Sequence, residues 1–325
     1  MTLPILSPRE ECASNSMASS NSNLAMIGAP AARSKVSSLL VLGFLGVCVL
    51  PFLLAWDSTR ALFTLVVYNE TFSQIPLIPL VSAFLVFRER HEIFREISFG
   101  WILGPSLAVP GLALAATVGL NSWQLDPTNQ AALLVFAAVL VWAGAFALFF
   151  GPRAFRAARF PLLFLLFTIP IPEPILSKIT YFLQKESSDA AELFFRLGGI
   201  PYLREDGFIF QLPGLAIRVA EECSGIRSTL ALLITAVLAC HLFLKTPWKM
   251  LVLCLAIIPI GILRNGLRIM ALSALAIYVN PDFIYGNLHK HGGVVFFIIG
   301  LIPMALLLMW LQKSEKPISA VAKKA

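Results

Sequence analysis

The chain has 325 residues, 58% of them hydrophobic and only 13% charged, with a net charge of +7. A mean hydropathy of +0.81 excludes an ordinary soluble domain, in which roughly a quarter of residues are charged. Its apolar runs are apolar all round and about 20 residues long, which is bilayer-crossing length.

The runs lack the strict alternation of barrel strands, so α-helices are left as the way to satisfy the backbone in lipid. Lys and Arg gather in short stretches between the runs, which reads as membrane topology and excludes a nucleic-acid surface. Residues 1–32, rich in Ser, Asn and Ala, are expected to be a disordered cytoplasmic tail. They do not read as a cleavable signal peptide, because the first apolar run begins too late and is too long.

A first span is expected from Val36 to Trp56, then a polar stretch over Asp57 to Gln74 and a second span ending near Phe87. The basic connection Arg88 to Arg95 leads to a third span, Trp101 to Leu120, and a loop without Lys or Arg, Asn121 to Gln130. A fourth span, Ala131 to Phe150, ends at Arg153, Arg156 and Arg159. The fifth begins at Pro161 and stops in the proline-rich run Phe167 to Pro174, which cannot continue a regular helix.

Ile175 to Leu197 differs in kind. Leu176, Ile179, Leu183, Leu193 and Leu197 stand among Lys, Glu, Asp and Ser, the pattern of an amphipathic helix lying on the bilayer surface. Gly198-Gly199 ends it. Pro201 to Glu222 then reads as a three-strand meander turning at Asp206-Gly207 and Pro213-Gly214. A sixth span runs from Gly225 to Leu244. The seventh, Trp248 to Val279, exceeds the bilayer core and is expected to project beyond it with a kink at Pro259. An eighth, Gly293 to Leu311, precedes a tail with Lys313, Lys316, Lys323 and Lys324.

The fold class is therefore an all-α polytopic membrane protein of about eight transmembrane helices, with a small extracytoplasmic amphipathic helix and β-meander. Residues 33–312 form the transmembrane domain, 174–222 its extracytoplasmic insertion, and 313–325 a basic cytoplasmic tail. Placing the basic connections in the cytoplasm puts both termini inside. The meander, the start of the sixth span, the far end of the seventh and the loop before the eighth then share the outer face.

Three clusters on that face can do chemistry. In the run Glu221-Glu222-Cys223-Ser224-Gly225-Ile226-Arg227-Ser228, the helix dipole and Arg227 favour a thiolate on Cys223, while the acidic neighbours oppose it. The alternative is a packed, inert thiol. In Arg264-Asn265-Gly266-Leu267-Arg268, two arginines share one helix face. They are either functional or boundary residues snorkelling to headgroups. In the outer loop His289 and His291 make a weak metal pair with no third ligand in sight, so no metal or cofactor is expected. Together the clusters suit acyl transfer, with a Cys–His pair as nucleophile and base and an Arg for the oxyanion. The other cysteines, Cys12, Cys48, Cys240 and Cys254, form no CxxC and imply no disulfide framework.

In this order the motifs resemble the exosortase/archaeosortase family of multi-pass membrane transpeptidases. The resemblance runs from about Phe72 to Leu311. It rests on Ile75-Pro-Leu-Ile-Pro-Leu80, the proline-rich run at Phe167, the helix and meander leading to Glu222-Cys223-Ser224-Gly225, then Asn265-Gly-Leu-Arg268, and His289 with Gly293 and Phe296. It implies a bacterial inner-membrane cysteine protease/transpeptidase that cuts exported proteins at a C-terminal sorting signal of the PEP-CTERM type: a short motif, a transmembrane helix and a basic cluster. By this likeness Cys223 forms the thioester, Arg268 stabilises the oxyanion or orients the thiolate, and His289 relays protons. Arg264 and His291 are second candidates for the last two roles. The partners implied are such substrate chains and membrane lipid, not nucleic acid. Two other readings stand beside it: a non-enzymatic transporter or envelope-polysaccharide assembly subunit, and a protease without transfer.

Overall fold

The computed structural model describes residues 38–68, 70–120, 125–280 and 293–315. The N-terminal tail, both outer-loop histidines and the last residues of the basic tail, named above from the sequence, lie outside these. Eleven helices and one small sheet are present among the described residues.

Helix α1 (Ser38–Leu54) turns by 92° into α2 (Trp56–Tyr68). The expected polar stretch after the first span is thus largely helical, because Ala61 to Tyr68 is an apolar helical run once the chain has turned. Thr59 takes up carbonyls released at the bend, its Oγ1 donating to Phe52 O at 3.0 Å and Ala55 O at 2.9 Å. Helices α3 (Leu77–Arg88) and α4 (Arg90–Ile93) follow. Next comes an antiparallel pair, α5 (Leu103–Gly119) and α6 (Pro127–Ala157).

Small residues let that pair close. Gly104 lies against Leu148, Gly144 against Ala108 and Gly111 against Ala137 and Val141, so that a Cβ on any of them would stand under 3.0 Å from its neighbour. In lipid, where apolar side chains gain nothing by leaving the solvent, such close packing drives association. Asp126 caps α6 by accepting from Thr128 N and Asn129 N at 3.1 and 3.2 Å. Gly151, at φ 89°, breaks its last turns, a backbone state natural to glycine.

Helix α7 (Arg159–Phe164) and a 3-10 turn to Thr168 stop at the prolines, and α8 (Glu173–Leu197) leaves at 83°. Its end is a Schellman motif: Gly199 stands at φ 65°, Ile200 N donates to Phe195 O at 3.0 Å and Gly199 N to Arg196 O at 3.2 Å. The meander follows as expected. Strands β1 (Leu203–Glu205), β2 (Ile209–Leu212) and β3 (Leu215–Arg218) pair antiparallel in order, Arg204 opposite Phe210 and Phe210 opposite Ile217. Asp206 and Gly207 turn at φ 48° and 75°, and Gly214 at 75°.

Helices α9 (Ile226–Phe243), α10 (Pro247–Tyr278) and α11 (Gly293–Lys313) complete the chain. Pro259 lies inside α10 without ending it. Helices α6, α9, α10 and α11 are long and apolar enough to cross a bilayer, and the two bent pairs raise the number of candidate spans to six. Among the described residues the eight expected are thus not all matched by a helix of spanning length. The intended second and third spans are helices of 12 and 17 residues, about 18 and 26 Å at 1.5 Å per residue, short of a core about 30 Å thick. The fifth breaks at its prolines.

Helix α8 is amphipathic, as expected. Leu193 and Leu197 are 50% and 75% exposed, while Gln184, Ser187, Ser188, Ala190 and Ala191 are buried. The packing face is the small-residue face. A Cβ on Gly266 of α10 would stand 2.6 Å from Ala190 Cβ, so the two helices touch almost backbone to backbone.

Candidate active site

The site grows from the antiparallel register of α9 and α10. Thr229 faces Gly261, with a Cβ on the glycine 2.7 Å from Thr229 Oγ1. One turn nearer the start of α9, Gly225 faces Asn265, and a Cβ there would stand 2.8 Å from Asn265 Cγ. Gly225 is the N-cap of α9 at φ 79°. Both the close approach and the left-handed backbone ask for glycine.

Ahead of it, Glu221–Cys223 makes one 3-10 turn in which Cys223 N donates to Ala220 O at 2.9 Å and Ser224 N to Glu221 O at 3.0 Å. Two buried amides tether this segment from opposite sides. Asn265 Nδ2 on α10 donates to Cys223 O at 2.7 Å. Gln184 Nε2 on α8 donates to Val219 O at 2.6 Å. Cys223 is half-buried against the cluster that joins Phe195, Phe210 and Ile269.

Of the residues singled out from sequence, Cys223, Ser224, Gly225, Arg264 and Asn265 are thus brought together. Arg268 lies one turn beyond Arg264 on the same face, half-buried. Arg227 is exposed in the first turn of α9. The backbone of Glu222 belongs to the 3-10 turn, whereas its side chain, like His289 and His291, is outside the description.

Arg264 is the deepest of the charges. It is 5% exposed, with its Cδ 3.0 Å from where a Cβ on Gly300 of α11 would stand, and its Nη2 3.2 Å from the same point on Gly225. The guanidinium therefore fills a junction of α9, α10 and α11. Arg264 and Arg268 thus bring two guanidinium groups to one face of α10, near the positive end of the α9 dipole.

Sequence reasoning missed two positioning features. One is Gln184, whose partner lies 35 positions away, so no local pattern reveals it. The other is Arg204, which pairs with Glu192 at 2.6 Å and Asp189 at 2.7 Å and donates through Nε and Nη2 to Gly207 O at 2.8 and 2.6 Å. Its strand was legible as part of a meander; its reach to α8 was not. Arg204 is also the main reason that Glu192, on the charged end of α8 beside the meander, is held below the ordinary carboxylate range.

The family model described as transmembrane exosortase matches residues 56–306, well over half of the chain and all of the elements that build this site. No curated protein and no solved structure matches the chain.

Proposed function

Because the chain belongs to the transmembrane exosortase family, we propose that it is a membrane cysteine transpeptidase that cleaves C-terminal sorting signals of the PEP-CTERM type from exported proteins. The observation that carries this reading is the seat of Cys223. The thiol precedes a helix N-terminus, and its carbonyl is tied at 2.7 Å to Asn265, on the helix that also bears Arg264 and Arg268. A thiol so placed favours the nucleophilic thiolate, and rigid tethers on both sides of it supply the preorganisation that catalysis needs.

In the proposed reaction His289 takes the proton from the Cys223 thiol, and the sulfur adds to the peptide carbonyl. The tetrahedral adduct collapses to a thioester as the amine of the departing tail receives that proton. An acceptor amine, or water, then attacks the thioester and restores the thiol. Arg268 stabilises the oxyanion or orients the thiolate.

The inner membrane is the proposed location, with both termini cytoplasmic and the site on the extracytoplasmic face. Arg268 and Lys249 are 19 positions apart on α10, about 28 Å at 1.5 Å per residue, close to the thickness of the hydrocarbon core. That spacing supports opposite membrane faces for the site and for the basic end. A substrate anchored by its own helix meets such a site in two dimensions, which lowers the entropic cost of encounter.

Cys223→Ala tests the reading against a transporter. In cells that make a secreted chain with a C-terminal motif, apolar helix and basic cluster, the variant should accumulate normally while that chain stays at full length. Normal processing in the variant would point to the transporter or assembly role.

A further inference from the structure

The meander has two outer strands, β1 and β3, and β3 leads into the segment that carries Cys223. Val219 N donates to Phe208 O at 2.8 Å. In the antiparallel register that sets Ile209 opposite Arg218 and Phe210 opposite Ile217, every second residue bonds across the ladder. Leu215 and Ile217 therefore turn their N–H and C=O groups toward β2. Ala216 and Arg218 turn theirs the other way, and no described residue hydrogen-bonds them there. A row of open donors and acceptors is a template for another strand.

Side chains sort by the same alternation. Ile217 shares the inner face with buried Phe210, whereas Ala216 and Arg218 stand exposed on the outer one. The two arginines of the meander differ accordingly. Arg204 is locked to Asp189 and Glu192, so the β1 edge offers no open charge. Arg218 forms no ion pair with a described acid. Glu205, in the same row of the outer face, lies across Ile209, about 10 Å away at two strand spacings, and accepts from Gln211 at 3.3 Å. An open guanidinium beside an open edge suits an extended peptide that bears a carboxylate. Arg218 also stands only five positions before Cys223, at most about 17 Å of extended chain.

We propose that the outer edge of β3 takes the substrate's sorting motif as a fourth, extended strand, with Arg218 reading an acidic side chain on it. The inference rests on the transpeptidase reading. Strand addition draws affinity from main-chain hydrogen bonds, here to Ala216 and Arg218, and selectivity from alternate side chains. Two paired residues hold a free peptide weakly. A substrate anchored in the same membrane needs little more, because the tether raises its local concentration. The edge thus aligns the motif and presents to the thiol a peptide bond within about five residues of the acidic one.

The test uses the full chain in lipid nanodiscs and a tail-bearing substrate whose motif is Pro-Glu-Pro. In a Cys223→Ala background, which leaves the substrate uncut, Ala216→Cys is cross-linked to single cysteines walked through the motif and its flanks. Cross-linking is expected at every second substrate position, with about a tenfold fall between them. With Cys223 intact, Arg218→Glu is expected to raise KM about tenfold or more through like-charge repulsion, while kcat changes less than about threefold. A substrate with its motif Glu changed to Lys restores KM in that variant, an exchange that a merely structural arginine does not produce. Cross-links without alternation, a homodimer linked through Ala216→Cys that substrate does not displace, or an Arg218→Glu defect that the Lys substrate leaves in place overturns the edge alone. Cleavage that persists in Cys223→Ala overturns the transpeptidase reading and the edge with it.

Discussion

At Gly225 one residue serves two needs, and substitution separates them. Alanine there must hold φ near 79°, which costs about 1–2 kcal/mol for an L-residue. Its Cβ also meets Asn265 Cγ at 2.8 Å, so the amide that holds Cys223 O must move. Gly225→Ala is expected to lower stability by about 1–3 kcal/mol and to reduce turnover more than Asn265→Ala does. Asn265→Ala only removes the 2.7 Å tether and strands one buried acceptor, at about 1–3 kcal/mol. Thermal unfolding and turnover of the purified variants check both, and wild-type turnover in Asn265→Ala would show the tether to be idle. The residues of this candidate site were picked out in sequence because Cys-Ser-Gly before an apolar helix and Asn-x-x-Arg are local patterns. That Arg264 sits deepest was not. It follows from α11 crossing at Gly300, a contact that no spacing within α10 encodes.

At the level of elements, the meander and helix ends were readable where backbone chemistry is local. Gly198-Gly199, Asp206-Gly207 and Pro213-Gly214 each announce a turn in two residues. The packing face of α8 was not readable, since Ser187, Ser188, Ala190 and Ala191 look polar or neutral beside the leucines. The helix is amphipathic, but its small face meets α10 at Gly266. The number of spans was harder to read for a related reason: hydropathy cannot tell α1 followed by a 92° turn from a straight span followed by a loop.

The tie between α8 and the sheet carries its own expectation. Glu192 is held below its ordinary value of 4.5, chiefly by the hydrogen bond from Arg204. A depressed carboxyl contributes stability that is present above the unfolded value and is lost as pH falls through the folded one. Wild-type protein should therefore lose melting temperature below about pH 4.5 more steeply than Glu192→Gln does. Parallel curves from pH 6 to pH 3 would show that the network does not stabilise the fold.

Across the whole molecule, side-chain links join parts distant in sequence and hold the basic end of α10 rigid. Trp142 Nε1 donates to Cys48 O at 2.9 Å and Ser82 Oγ to Pro161 O at 2.8 Å. His241 lies 3.2 Å from Glu89 and is stacked on Phe160, ring centroids 3.6 Å apart. Buried Lys249 donates to Leu311 O at 3.1 Å and to Ser314 Oγ at 2.9 Å, and Glu315 accepts from Lys245 N and Thr246 N at 3.1 and 3.0 Å. Lys249 thus closes the last turn of α11 while Glu315 covers the start of α10, each charge suited to the dipole end it meets. The other half of α10 carries the arginines and borders the meander. Rigid packing at one end and a collected positive charge at the other suit a protein that does chemistry at one rim of its helical bundle.

The most direct measurement is the mass of the Cys223 peptide after the full chain in nanodiscs has been mixed with a tail-bearing substrate and quenched in acid. The expected result is an added mass equal to the substrate up to its cut site, removed by hydroxylamine as a thioester should be. Cleaved substrate with Cys223 unmodified at every time point, and equal cleavage by Cys223→Ala, would contradict the account.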